Sequence, residues 1–319
     1  MRVLLTGSSG WLGRHLAPML AARGHRVTGI DVAPGDHTQI FGSIAERSVV
    51  DRAFADHGIE AVIHAAALHK PDIARYSRQA FVDVNVTGTL NLLEAAVTAR
   101  HRRFVFTSTT SLMIGHAIRD ERSDRAIWLD EASGPIEPRN IYGVTKYAAE
   151  QMCRLIAEEH SLSVIALRTG RFFPEEDDTN RALSGENMKA NELLNRRLTV
   201  EDAAAAHIAA LEHGGLGGYH LYLASARTPF AREDAVALRE DAATVVARYF
   251  PDAPALYAAK NWTLPRSIGR VYDSSALCHD LDFTFATDFA AVLTALERGN
   301  PLPFAHDADY SSPALGIFA

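Results

Sequence analysis

Within its first thirteen residues the chain commits to a strand, a glycine turn and a helix. Val3–Thr6 is a short apolar run, and Gly7-Ser8-Ser9-Gly10-Trp11-Leu12-Gly13 follows it directly. Glycines at this spacing permit a tight turn, close backbone approach to a pyrophosphate and close helix–strand contact. The helix that follows, from about Trp11 to Arg23, adds N–H donors and the positive end of its dipole. Such a motif alone is a weak signal, and the strand before it and helix after it supply the context. Gly7, Ser9, Gly10, Trp11, Leu12 and Gly13 are therefore expected to hold a dinucleotide. Asp31 closes the next strand, Arg26–Asp31, 18 residues after Gly13. A carboxylate there accepts hydrogen bonds from both hydroxyls of an adenosine ribose and repels a 2′-phosphate. Val32 and Ala33 are not basic, so NAD is favoured over NADP, with Arg14 keeping NADP as the lesser alternative.

Short β-branched or apolar runs alternate with longer helical patterns through the first half. Helices are expected over Ala45–His57, Phe81–Arg100 and Ile141–His160. Strands are expected over Glu60–Ala66, Arg103–Thr107 and Val164–Arg168. Strands separated by helices imply right-handed crossovers and a parallel sheet covered on both faces, the α/β, doubly wound Rossmann class. After Arg168 the alternation weakens. Glu201–His213 reads as a helix and Tyr219–Leu223 as a strand, while Pro251, Pro254, Pro265 and Pro301 break up the remainder. We expect an NAD-binding domain over residues 1–170, with residues 199–225 returning to it. Residues 171–198 and 226–319 would form a small substrate-binding region, ending in an irregular C-terminal arm after about Asn300.

Composition narrows the function. Apolar residues make up 47% and charged residues 22% of the 319, as in ordinary globular proteins. The net charge of −7 argues against a nucleic-acid partner. Two cysteines without metal-ligand spacing, Cys153 and Cys278, suit a reducing cytoplasm. No targeting segment is visible, and no run approaches the ~20 apolar residues that span a bilayer. The reading is a soluble cytoplasmic protein with a small-molecule substrate, no metal and no membrane.

Tyr142-Gly143-Val144-Thr145-Lys146 places a phenol and an ammonium one helical turn apart on one face. A nearby ammonium favours the phenolate, so the tyrosine is expected to titrate below its ordinary range. Tyr142 is then the base that takes a hydroxyl proton while a hydride leaves the same carbon, and Lys146 also holds the nicotinamide ribose. The strand Phe104-Val105-Phe106 runs into Thr107-Ser108-Thr109-Thr110-Ser111. Hydroxyls at the carboxyl end of a parallel strand lie where ligands bind, and each can donate and accept.

These motifs together resemble the extended short-chain dehydrogenase/reductases, of the NAD-dependent epimerase/dehydratase group, most clearly over residues 1–170. Val62-Ile63-His64-Ala65-Ala66-Ala67, Asn85-Val86-Thr87-Gly88-Thr89, Pro138-Arg139-Asn140-Ile141-Tyr142-Gly143, Leu167-Arg168 and Val200-Glu201-Asp202 match further segments of that family. The resemblance implies Thr109 as hydroxyl partner, Tyr142 as base and Lys146 as its activator. It implies cofactor contacts from Ala65, Ala66, Ala67, Thr107 and Thr169, and from Asn85 as a contact or a helix spacer. Gly42-Ser43 stands where the family often has Gly-Asp, whose Asp meets the adenine amine, and Ser43 and Ile44 are the expected cofactor contacts there. His69, with Lys70 next, stands in place of a phosphate-side lysine, and Met113-Ile114-Gly115 in place of a Tyr-Gly. Arg171 replaces an Asn common in sugar-nucleotide members. Only about thirty residues separate Arg168 from Glu201, which makes the chain more similar to compact uronate-dehydrogenase-like members.

His69, Thr110, Ser111 and Arg171 are the candidate substrate residues. Arg171 can pair bidentately with a carboxylate or phosphate, or form a salt bridge to Glu175 or Glu176. Arg270 is a second cationic candidate, read as an exposed loop arginine. His64 reads as a core histidine, and Glu175-Glu176-Asp177-Asp178 as a solvated loop rather than a metal site. The expected function is an NAD-dependent oxidoreductase acting on a secondary alcohol of a sugar or sugar-like substrate. The alternatives are a nucleotide-sugar epimerase or dehydratase that recycles NAD internally, and a non-catalytic NAD-sensing protein. Helices 81–100 and 141–160 are expected to pair across a homodimer.

Overall fold

The structure is a computed structural model, and it describes residues 1–120, 122–176 and 182–313. Asp177 and Asp178 lie outside the described residues. The chain runs β1 (Arg2–Thr6), α1 (Trp11–Ala22), β2 (Arg26–Asp31), β3 (Ile40–Phe41), α2 (Arg47–His57) and β4 (Ala61–His64). Then come α3 (Arg78–Phe81), a π-helical turn (Val82–Thr87), α4 (Gly88–Thr98), β5 (Arg103–Thr109), α5 (His116–Arg119) and β6 (Ile127–Leu129). Next are α6 (Ile141–Glu159), β7 (Ser163–Thr169), α7 (Gly185–Glu192), α8 (Val200–Glu212) and β8 (Tyr219–Ala224). The C-terminal part adds α9 (Ala235–Glu240), α10 (Ala242–Tyr249), α11 (Ala253–Ala259), β9 (Arg270–Tyr272), α12 (Ser275–Asp280) and α13 (Phe289–Arg298).

Seven parallel strands form the main sheet in the order β3-β2-β1-β4-β5-β7-β8. Successive side chains point to opposite faces of a strand, and here both faces are buried, which is why the strands read as unbroken apolar runs. Val3, Leu5, Ile63, Val105 and Ile165 pack with α1 and α8 on one face. Leu4, Val62, Phe104, Phe106 and Val164 pack with α2, α4 and α6 on the other. From β1 the strand order grows outward in both directions, so a crevice opens at the carboxyl ends of β1 and β4, where such sheets bind ligands. A separate apolar cluster joins Leu193, Val245, Tyr257, Val271, Phe289 and Val292 beside the two-stranded sheet β6-β9.

Three local expectations change. The strand expected over 60–66 ends at His64, which frees Ala65–Ala67 as irregular backbone along the crevice. The helix expected from Ala45 begins at Arg47. The helix expected over 81–100 is interrupted by the π-helical turn, which a sequence periodicity of 3.6 does not reveal.

Candidate active site

The glycine turn is built by close contact. Gly7 has a φ of 75°, and a Cβ there would sit 2.8 Å from Ala66 N. A Cβ on Gly13 would sit 2.0 Å from the Gly7 carbonyl oxygen. Only glycine fits either place, so the turn lies flat against the loop after β4. A cleft of about 630 Å³ starts here, lined by Gly7, Gly10, Trp11, Leu12, Gly13, Asp31, Ser43, Ile44 and Ala65–Ala67. Asp31 Oδ2 accepts from Ser9 N at 3.0 Å and Oδ1 from Ala33 N at 3.0 Å. Burial raises the Asp31 carboxyl, and these N–H donors oppose the rise. A glycine cradle open to a cleft with a carboxylate at the end of β2 fits a dinucleotide.

Two expected cofactor residues do not line the cleft. Ser9 donates through Oγ to Ala33 O at 2.7 Å and so fastens the glycine turn to the loop after β2. Asn85 is buried in the π-helical turn. Its Nδ2 donates to Leu68 O at 2.9 Å and to Thr145 Oγ1 at 3.0 Å, while its Oδ1 accepts from Leu68 N at 2.8 Å. It therefore ties the loop after β4 to α6. His64 stands behind the same loop as a core histidine. Thr89 Oγ1 donates to Asn85 O, so it accepts from His64 Nε2, leaving His64 Nδ1 to accept from Thr6 Oγ1 at 2.8 Å. Burial drives the His64 pKa well below its ordinary value.

The chemical end gathers on β5, β7 and α6. Asn140 caps α6, accepting from Gly143 N at 2.9 Å. That fixes the first turn of α6, where Tyr142 lines the cleft together with Thr109. Thr109 Oγ1 also accepts from Ser111 N at 3.1 Å. Burial pushes the Tyr142 phenol up to about 12, with the Thr109 side chain opposing and Asp72 adding to the rise. Lys146 is buried one turn on, with Nζ 4.0 Å from the centre of the Phe106 ring. Burial pushes its ammonium down to about 7, against Cys153 and Glu150. The expectation that Lys146 lowers the tyrosine is thus corrected: desolvation is the largest influence on both groups and raises the phenol.

Thr107, Thr169, Thr110 and Ser111 line the cleft too. Thr107 Oγ1 lies 2.8 Å from His207 Nε2. His207 Nδ1 lies 2.7 Å from Ala203 O and must donate to it, so Nε2 accepts from Thr107. Thr169 Oγ1 donates to Ser108 O at 3.1 Å, and Thr110 Oγ1 to Thr169 O at 3.2 Å. Behind them Glu150 takes a hydrogen bond from Ser108 Oγ at 2.8 Å and two from Arg168, at 3.1 and 2.6 Å, all buried.

The outer end is strongly charged. His69 Nδ1 lies 2.8 Å from Asp72 Oδ2, and its Nε2 lies 2.9 Å from Ser312 Oγ. Arg171 lines the cleft 3.8 Å from Glu175. Glu175 and Glu176 line the cleft as well, in irregular backbone, Glu175 half-buried and Glu176 exposed. Arg270 is half-buried on β9 and lines the cleft, which replaces its reading as an exposed loop arginine. Lys70, Arg139, Arg196, Ser312 and Pro313 are lining residues that sequence reasoning missed as site residues. The C-terminal segment reaches the site as a strap. Tyr310 packs edge-on against Trp11 at 5.2 Å, and Lys189 Nζ donates to His306 Nδ1 at 2.9 Å. Among the described residues, no group of three or more His, Cys, Asp or Glu is placed to hold a metal ion.

Comparison with known proteins places this site in a family. The profile of the NAD dependent epimerase/dehydratase family matches residues 3–222. The chain belongs to this family. Among curated members of the NAD dependent epimerase/dehydratase type, it is 34% identical over 179 residues to an L-arabinose 1-dehydrogenase (NAD(P)(+)) of Haloferax volcanii, covering 53% of this chain and 66% of that one. It is 32% identical over 173 residues to a UDP-glucose 4-epimerase of Rhizobium leguminosarum bv. trifolii, covering 52% and 50%. The matches thus span about half to two thirds of the length of these relatives. A short-chain dehydrogenase/reductase superfamily protein of Agrobacterium tumefaciens with bound NAD superposes with a TM-score of 0.65 at 19% identity, over 94% of this chain and 98% of that one. UDP-glucose 4-epimerase of Thermotoga maritima with UDP-glucose gives 0.65 at 19%, over 94% and 99%. The two superpositions establish that this member shares their fold. Among the described residues no helix is long and apolar enough to cross a membrane.

Proposed function

We propose that the chain is an NAD-dependent dehydrogenase acting on a secondary alcohol of a sugar or sugar-like small molecule. The observation that carries the reading is the gathering of Tyr142, Thr109 and Lys146, with Lys146 one turn on from Tyr142, in the cleft that begins at the glycine turn and Asp31. The arabinose dehydrogenase among the relatives supports the substrate class. Asp31 supports NAD over NADP. Bound NAD supplies a hydride acceptor and one positive charge. The glycine turn and α1 would hold its phosphates, Asp31 the adenosine ribose, and Lys146 the second ribose. Thr109 orients the substrate hydroxyl and Tyr142 takes its proton. The neutral phenol is the favoured form of Tyr142 here, so the reverse reduction finds its proton donor already loaded.

The test is to denature the purified protein, identify any released nucleotide by mass, and follow NADH formation with a panel of sugars. Little retained nucleotide and NADH formation on added sugar uphold the dehydrogenase. Near-stoichiometric retained NAD without net NADH formation overturns it in favour of an epimerase or dehydratase. That second reading draws on the C-terminal strap, which lies against Trp11 and His69 at the mouth of the cleft. Free Cys153 and Cys278 support placing the protein in a reducing compartment.

A further inference from the structure

We propose that His207 fixes the Thr107 hydroxyl as a hydrogen-bond acceptor for the amino group of the nicotinamide carboxamide. Thr107 is then a residue that selects the cofactor, and His207 is its positioning residue. The inference concerns NAD and does not depend on which sugar is oxidised.

The sheet register gives Thr107 its place. β4 pairs with β5 from Ala61 beside Arg103 to His64 beside Phe106, so Thr107 comes level with Ala65, in the loop on which Gly7 packs. Thr109 stands two residues further along β5, on the same side of the strand. A ligand that runs from the glycine turn past Ala65–Ala67 toward Thr109 and Tyr142 passes Thr107, and all these residues line the cleft. The hydride-accepting ring of NAD belongs at this end. Its carboxamide carries an oxygen that accepts and an amino group that donates.

The direction of the Thr107 hydroxyl follows from its partners. A carbonyl oxygen only accepts, so His207 Nδ1, 2.7 Å from Ala203 O, carries the imidazole proton. Nε2 is left as an acceptor, and Thr107 Oγ1, 2.8 Å away, donates to it. Burial in α8 holds His207 in the neutral form, and Lys146 acts in the same direction. The Thr107 proton is thus spent inside the protein, and its oxygen keeps only lone pairs for the cleft. Two neighbours are committed in the same way: Thr169 Oγ1 donates to Ser108 O, and Thr110 Oγ1 to Thr169 O. This stretch of the cleft offers oxygens that accept, so a group matched to it must donate. The carboxamide amino group does, whereas a carbonyl oxygen would face lone pairs and lose its hydrogen bond to water without replacement. The substrate hydroxyl, which can donate or accept, is left to Thr109 and Tyr142 further out. Without an acceptor at position 207 the Thr107 hydroxyl is free to rotate and donate, and the selection is lost.

The experiment is a calorimetric titration of the whole chain, freed of any retained nucleotide, with four ligands. They are NAD, its thionicotinamide analogue, which keeps the amino group, its 3-acetylpyridine analogue, which carries a methyl group instead, and ADP-ribose, which lacks the pyridine ring. NAD and the thionicotinamide analogue should bind the wild type alike, and the acetylpyridine analogue about tenfold more weakly, the worth of one hydrogen bond. Thr107→Val removes the hydroxyl at nearly constant volume. It should weaken NAD about tenfold and leave the acetylpyridine analogue unchanged, so that the gap closes. His207→Leu should close the gap as well, and His207→Gln, whose amide oxygen can stand in for Nε2, should keep most of it open. Unchanged ADP-ribose affinity reports that each variant is folded with the rest of the site intact. Equal binding of NAD and the acetylpyridine analogue by the wild type overturns the proposal, and so does a thionicotinamide analogue that binds as weakly as the acetylpyridine one. Those two results need no variant, so the proposal stays exposed even if His207→Leu fails to fold. A gap that survives Thr107→Val overturns the role of Thr107, and one that survives His207→Leu in a folded chain overturns that of His207.

Discussion

At the scale of single residues, the site is governed by desolvation. Tyr142 at about 12 and Lys146 at about 7 are both held toward neutrality. Alcohol oxidation needs the phenolate, so its kcat should climb as pH rises above neutrality, while reduction should favour lower pH. Tyr142→Phe should lower kcat about 10²–10⁴-fold with NAD affinity nearly unchanged, measured by NADH formation and fluorescence titration. His207 makes a separate prediction. Burial lowers it from 6.5 to about 4, against its bond to Ala203 and with Lys146 adding to the fall. The unfolded chain takes up this proton below 6.5 and the folded chain does not, so stability is intact above 6.5 and falls as pH drops toward 4. The loss should reach about 2 kcal/mol between about pH 7.5 and pH 5. His207→Asn, which keeps a donor for Ala203, should be less stable at neutral pH, but its pH-dependent loss should shrink by about that amount. Urea midpoints at the two pH values check it. The Tyr-x-x-x-Lys pair was readable because its members share one helix. The direction of its titration was not, because burial is set by Phe106, Cys153 and other side chains distant in sequence.

At the scale of elements, the π-helical turn does work that a plain helix would not. It presents Asn85 to Leu68 and Thr145 at once. Asn85→Ala leaves a buried N–H and a buried carbonyl on Leu68 without partners, which should cost about 2–4 kcal/mol. Thermal unfolding should show the loss, with weakened NAD binding as the loop after β4 loosens. Asn85 was legible as a residue of the site, but its role was not, since nothing in the local pattern distinguishes a cleft contact from a clamp behind it. The outward face of α6 carries exposed Val144, at 50%, and Leu155, at 51%, about three turns apart, and the π-helical turn that packs against α6 carries exposed Val82, at 36%. We expect this face to pair with a second copy. Light scattering should give about twice the 34.8 kDa chain mass, and Leu155→Lys should shift the protein toward monomer.

At the scale of the whole molecule, the cleft is closed by both ends of the chain, with Trp11 from the glycine turn under Tyr310 and His69 under Ser312. Truncation after Phe304 should speed NAD release about tenfold, a loss of ~1.4 kcal/mol. Stopped-flow displacement would read it, and an unchanged rate would show the strap to be dispensable. The first half of the sheet was legible because each strand–helix unit is local. The strap and the Ser108–Glu150–Arg168 cluster were not, because they join segments up to 243 positions apart that follow no shared period. That separation has a consequence for how the molecule comes into being. An all-parallel sheet already demands contacts distant along the chain, and such contacts form late and at high entropic cost. A cleft bounded by Gly7 and Pro313 must wait for nearly the entire chain to be in place. A nascent or refolding molecule should therefore pass through a stage with its helices and central strands formed but with a looser hold on its ligands, more exposed to aggregation until the strap docks.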